Sequence, residues 1–270
     1  MLAFSGMLDG LPYQVKRAIA RKLDPFYIHT LGSSCSEWRA ILRSNQRVLS
    51  NRRTLPGAGR SGDYSAFLHR FPNADTLRLY GEALDLSSIG ASGAAGASGA
   101  GGPRIRNLLL FCAFIPSTFK SLAACDLTSL HLDGNFVRGV VASTIAEMSS
   151  LVSLSIVRGP SSAAELARAI VGLTKLESLC LARNELGAAG TTALAPSLAG
   201  LSRLRSLDLS RNMIACDGAT ALATTLRALT ALTELNIDAN AIGARGFAAL
   251  HSLGPPGIAR LTGLTGLTGL

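Results

Sequence analysis

The stretch that decides the fold is Leu176-Glu-Ser-Leu179-Cys-Leu181-Ala-Arg-Asn184. It returns as Leu204-Arg-Ser-Leu207-Asp-Leu209-Ser-Arg-Asn212 and as Leu232-Thr-Glu-Leu235-Asn-Ile237-Asp-Ala-Asn240. Upstream the same phrase, L-x-x-L-x-L-x-x-N, reads Leu127-Thr-Ser-Leu130-His-Leu132-Asp-Gly-Asn135, then Leu151-Val-Ser-Leu154-Ser-Ile156 with Gly159 in the Asn place. Two degraded copies begin at Ala74 (Leu77, Leu79, Leu84) and at Ile105 (Leu108, Leu110, Ile115). The last six copies start at Ile105, Leu127, Leu151, Leu176, Leu204 and Leu232, so the steps are 22, 24, 25, 28 and 28 residues. Self-similarity at such a period is the signature of a repeat architecture.

Physics gives the phrase its shape. The alternating L-x-L is a short strand whose leucines point inward at period two. The Asn is expected to hydrogen-bond backbone groups of the turn that follows and to stack on the Asn of the next repeat. Between strands lie apolar-periodic helical stretches at 163–171, 191–198 and 219–229, the first preceded by the capping candidates Ser161 and Ser162. Each repeat buries its leucines only against its neighbours, so the whole is a one-dimensional stack. Leu179, Leu181, Leu207 and Leu209 are expected to be buried.

These residues resemble the leucine-rich repeat family over residues 64–270. The 28-residue copies, with Gly187/Gly190 and Gly243/Gly246 after the Asn, look like the ribonuclease-inhibitor type. The resemblance implies an α/β solenoid, a curved horseshoe with parallel strands on the concave face and helices on the convex face. It does not choose a function, because one fold hosts many.

Register lets the concave face be read directly, since strand residues flanking the inward leucines point outward. Its N-terminal end carries Arg78, Tyr80, Leu109, Phe111 and His131, its middle is small and neutral, and its C-terminal end is acidic. Exposed aromatics beside an Arg make a candidate protein-binding hot spot, so those five residues are the expected target-binding set. The open alternative is that the Gly/Ala/Ser insert at 90–102 or the N-terminal module covers them. Arg158, Arg183 and Arg211 occupy one equivalent position in three successive repeats. Asp133, Asp208 and Asp238 sit diagonally nearby and are expected to pair with them.

Residues 8–49 do not fit the repeat. Val15, Ile19 and Leu23 make a helical stripe, Asp24-Pro25 breaks it and can start a second helix, and Ile28, Leu31, Cys35, Trp38 and Leu42 continue at helical spacing. The Leu11-Pro12 opening, the Asp-Pro break and a Cys followed three residues later by Trp38-Arg39 resemble an F-box. Lys16 and Arg17 stand at positions often aliphatic in that family, and Ala20 where a Phe frequently follows the Ile. The resemblance implies that Leu11, Pro12, Val15, Ile19 and Leu23 dock a ubiquitin-ligase adaptor. The chain would then be a substrate receptor of a cullin-type ligase, with its target on the repeats. The other reading is a plain helical cap on the first repeat, and hence a scaffold or structural protein of cytoskeleton or cilium. The expected division is a helical module at 1–49, a polar linker at 50–63 and repeats from 64 to the end, with an eighth strand due near Leu261.

Composition narrows the classes. Hydrophobic residues are 48% of the 270 and charged residues 16%, which excludes a chain disordered throughout, and 5% aromatics suits layered aliphatic packing. The net charge of +9 is concentrated in residues 1–72, with eleven Lys/Arg against four Asp/Glu. No aromatic platform or nucleic-acid reader motif accompanies it, so nucleic acid is not an expected partner. Five scattered cysteines without C-x-x-C, and no Asn-x-Ser/Thr sequon, point to a cytoplasmic or nuclear setting. The longest apolar run, Leu108 to Ile115, is too short to span a bilayer. None of the common catalytic phrases is present, and the four histidines stand at no metal-ligand spacing. The expectation is a non-enzymatic binding protein with no cofactor and no metal.

Overall fold

The structure, a computed structural model, describes residues 48–50, 74–84, 86–87, 89, 105–114, 116–134, 137–159 and 162–252, and residue 14 besides. Eight strands follow one another in chain order across a single parallel sheet. They are β1 (Val48–Ser50), β2 (Thr76–Leu84), β3 (Asn107–Phe114), β4 (Ser129–Asp133), β5 (Ser153–Val157), β6 (Ser178–Cys180), β7 (Ser206–Asp208) and β8 (Glu234–Asn236). Registers run straight through the repeat phrase: Leu77, Leu108, Leu130, Leu154, Leu179, Leu207 and Leu235 face one another in turn. All seven are buried, as are Leu181 and Leu209. Entry to each strand is equally regular. The N–H groups of Glu177 and Ser178 both donate to the Val152 carbonyl, and those of Arg205 and Ser206 both donate to the Glu177 carbonyl.

Helices cover the face the leucines point into. A short α1 (Pro116–Phe119) runs into a 3-10 turn (Lys120–Ala124), and α2 (Val140–Glu147), α3 (Ala163–Ile170), α4 (Gly187–Ala199), α5 (Ala215–Leu226) and α6 (Gly243–His251) follow. Ser162 caps α3, its hydroxyl accepting from the Glu165 N–H at 3.3 Å. The helices α4 and α5 begin four residues earlier than the expected starts at 191 and 219. Gly187 and Ala215 hold positive φ (64° and 55°) and turn the chain into the first helical turn directly, so residues that read as loop are already helix. Strands stack at about 4.8 Å whereas packed helices need about 8–10 Å, so the stack bends with its strands on the inner, concave side. Close helix approach is kept by Gly218, where a Cβ would lie 2.7 Å from Ile214 Cγ2 and 3.3 Å from the Ala188 Cα.

The asparagines hold successive repeats in step. Asn212 is fully buried. Its Nδ2 donates to the carbonyls of Leu181, Leu209 and Ser210, and its Oδ1 accepts the Asn184 N–H at 2.8 Å. Asn184 and Asn240 repeat the pattern one layer away in either direction, and the Gly159 N–H donates to Asn184 Oδ1. The bonds therefore run back to the strand just left and across to the preceding repeat, not forward into the following turn as the sequence suggested. Such placement needs an unusual backbone: Arg183, Glu185 and Gly187 around Asn184, and Arg211, Met213 and Ala215 around Asn212, all have positive φ.

Strand β1 was not foreseen. Val48 pairs with Thr76, Leu49 with Leu77 and Ser50 with Arg78, so the sheet reaches across the expected junction at 49/50. Three extended residues carry too little pattern to register as a repeat, and the neighbouring strand supplies the hydrogen bonds that stabilise them. The F-box-like helices, the rest of the linker, the helix expected at 64–70, the insert at 90–102 and the strand due near Leu261 lie outside the described residues.

Candidate functional site

The two long strands, β2 with nine residues and β3 with eight, carry the aromatic side chains of this face. Tyr80 is in register with Phe111, and their rings stack with centroids 4.8 Å apart and planes 10° from parallel. The His131 ring, on β4, tilts against Phe111 at 5.0 Å and 48°. Leu109 lies between Arg78 and His131 in register. Tyr80, Leu109, Phe111 and His131 are half-buried, while Arg78 is exposed. The structure thus brings the five expected target-binding residues onto three adjacent strands, as one continuous aromatic row with an Arg at its edge.

A polar row continues from the aromatic one. His131 Nδ1 shares a hydrogen bond of 2.9 Å with Ser155 Oγ. Ser155 is in register with Cys180, and Cys180 with Asp208. Burial lowers the His131 pKa, with Arg158 adding to the effect and Asp133 opposing it, so the ring is neutral at physiological pH. Cys180 is pushed up chiefly by burial, with the Asp208 carboxylate contributing, and its thiol stays protonated. A protonated thiol is a poor nucleophile and a poor metal ligand. Burial likewise pushes the Cys125 thiol up to about 11. Among the described residues no group of three His, Cys, Asp or Glu is arranged to hold a metal ion, and no helix is long and apolar enough to cross a membrane. The middle of the face offers hydrogen bonds but no activated group.

The arginine row behaves differently from the expectation. Arg158 clamps Asp133 in a two-pronged ion pair, Nε donating to Oδ1 at 2.7 Å and Nη2 to Oδ2. That pair holds the Asp133 carboxyl below the usual carboxylate range. Arg183 and Arg211 make no ion pair among the described residues, so the expected pairing with Asp208 and Asp238 does not form. The geometry explains it. Arg158 reaches the strand-end residue of the preceding repeat, and the equivalent residues for Arg183 and Arg211 are Val157 and Ala182. Asp208 instead accepts the Ser210 N–H at 2.8 Å. The expected adaptor-docking residues Leu11, Pro12, Val15, Ile19 and Leu23 lie outside the described residues.

The family described as Leucine Rich repeat matches residues 202–223, which contain β7 and most of α5. No curated protein matches the sequence. Among solved structures the chain is similar to an internalin, InlF, from Listeria monocytogenes, at 20% identity with a TM-score of 0.52. That match covers 86% of this chain and 64% of the internalin, so this chain spans less than two thirds of its length. It is also similar to the leucine-rich repeat-containing protein LegL7 from Legionella pneumophila, at 20% identity, a TM-score of 0.44, and 70% and 64% coverage. The chain has the leucine-rich-repeat fold, with parallel strands in one open sheet and helices on the other side.

Proposed function

We propose that the chain binds other proteins through its concave face, and that it is an F-box substrate receptor of a cullin-type ubiquitin ligase. Support for the first half comes from the leucine-rich-repeat fold, whose stacked strands make an extended surface suited to holding another protein, and from one observation above all. The stacked Tyr80–Phe111–His131 row lies toward the N-terminal end of an open sheet face whose middle is small and neutral and whose C-terminal end is acidic. Such a face has shape and anchors, and no general base, activated nucleophile or metal cluster among its described residues. Support for the second half is the Leu11-Pro12, Asp24-Pro25 and Cys35-x-x-Trp38-Arg39 phrase. The mechanism is proximity: the N-terminal module docks the adaptor, the horseshoe holds the target, and other subunits transfer ubiquitin. The 28-residue steps and the equivalent Gly187 and Gly243 support the ribonuclease-inhibitor type of repeat. The protein would act in cytoplasm or nucleus.

Lys16 and Arg17, at positions where the F-box family is often aliphatic, favour a second reading: a capped leucine-rich scaffold with no ubiquitin role, attached to cytoskeleton or cilium. Titrating the full chain with the purified ligase adaptor decides between them. The receptor reading expects binding that Leu11→Ala with Pro12→Ala weakens while the circular dichroism of the repeats is unchanged. A folded chain that shows no adaptor binding at about 50 μM, where a complex of about −6 kcal/mol would be half formed, leaves the scaffold.

A further inference from the structure

We propose that Arg183 and Arg211 form a carboxylate-binding subsite on the rim of the concave face, which receives two acidic side chains of an extended protein segment. The inference deepens the protein-binding reading and rests on it. Arg158, Arg183, Arg211 and Ala239 share one backbone state, with φ of 56°, 60°, 56° and 56° just before the layer's Gly or Asn. The three arginines therefore leave the loop at equivalent points, one strand apart. Arg158 shows what this position does when an acid is in reach, since it takes both oxygens of Asp133. For Arg183 and Arg211 the equivalent residues of the preceding layer are Val157 and Ala182, which carry no acid, and both arginine side chains are exposed. The layers that carry them are about 4.8 Å apart at their strands, a spacing at which two long arginine side chains can take a pair of carboxylates through planar two-pronged bonds. A continuous polyanion suits the place less, because Asp133 already holds Arg158 and leaves two arginines rather than a row of three.

The same geometry sets a spacing. Phe111 on β3 and the Arg183 loop after β6 are three strands apart, about 14 Å. An extended chain rises about 3.3 Å per residue, so four or five residues separate an aromatic or aliphatic anchor on the Tyr80–Phe111 row from the first acid. The occupant is thus an apolar anchor, a short spacer and an acidic pair.

The test uses the full chain and two fluorescein-labelled synthetic peptides, read by anisotropy near physiological salt. One carries Trp and, five residues on, Asp-Glu; the other has Ser-Ser in place of the acids. The acidic peptide is expected to bind at least about ten-fold tighter. R183Q with R211Q should erase that ratio, while R203Q with R227Q, which removes the same charge from exposed positions off this rim, should keep it. Equal affinity of the two peptides, no binding of the acidic one, or a ratio that survives R183Q with R211Q overturns the subsite. So does a DNA oligonucleotide that binds with the same dependence on both arginines, since the occupant would then be a polyanion. Tyr80→Ala with Phe111→Ala separates this outcome from the broader reading. If it abolishes peptide binding while the acidic preference is absent, the concave face is the binding surface and the subsite falls. If it changes nothing while the arginine dependence persists, the subsite stands and the aromatic row does not.

Discussion

Replacing Asn212 by Ala probes the device that holds the repeats in step. Four hydrogen bonds disappear with the amide, yet they are not equivalent. The Leu181 carbonyl still accepts from Asn184 Nδ2, the Leu209 carbonyl from Asn240 Nδ2, and the Ser210 carbonyl from the Arg183 N–H. These three keep a partner, so each lost bond costs only the net value of an intramolecular hydrogen bond, about 0.5–1 kcal/mol. The Asn184 N–H is different. It is buried, Asn212 Oδ1 is its hydrogen-bond partner, and orphaning such a donor costs about 1–3 kcal/mol. Together the loss is about 2.5–6 kcal/mol, a large fraction of the stability of a domain this size. Urea unfolding followed by circular dichroism measures it. Asn212→Asp sharpens the test, because it keeps the Oδ1 acceptor but turns a carboxylate toward three carbonyls. The folded-state pKa of that Asp is raised above its unfolded value. Its stability contribution is therefore intact below about pH 4 and is lost as pH rises through the folded value. A loss below 0.5 kcal/mol for Asn212→Ala, or an Asn212→Asp variant no less stable at neutral pH than at pH 4, would refute the ladder as the interlayer tie.

Two further outcomes follow from backbone and charge. Ala215 holds φ 55° where the neighbouring layers have Gly187 and Gly243. Relief of about 1–2 kcal/mol of left-handed strain, less about 0.4–1 kcal/mol for the freer unfolded chain, predicts that Ala215→Gly raises stability by about 0.5–1 kcal/mol, visible as a melting temperature a few degrees higher; a lower one counts against the strain argument. For His131 the folded pKa lies below its ordinary value near 6.5. The unfolded chain takes up that proton first, so stability conferred by the neutral ring is complete above about pH 6.5 and declines as pH falls through the folded value. His131→Gln should flatten the dependence of urea stability between pH 7.5 and 5.5, and an unchanged slope would mean that the ring is not desolvated.

Period alone determined most of the described fold. The inward leucines, the outward columns and the parallel order of β2 to β8 all follow from L-x-x-L-x-L-x-x-N, because a side-chain alternation of two and a layer step of 22 to 28 residues leave one way to bury the apolar set. The aromatic row was legible for the same reason, since register carried Tyr80, Phe111 and His131 to adjacent strands. Tertiary structure decided what depends on the neighbouring layer. It set the direction of the Asn bonds, because carbonyls of the preceding repeat come within reach only once the layers are stacked. It supplied β1, whose three residues have no period of their own and take their shape from β2. And it divided the arginines: all three read alike in the sequence, but an ion pair needs an acid at the reached position of the preceding layer, and that position holds Asp133 for Arg158, Val157 for Arg183 and Ala182 for Arg211.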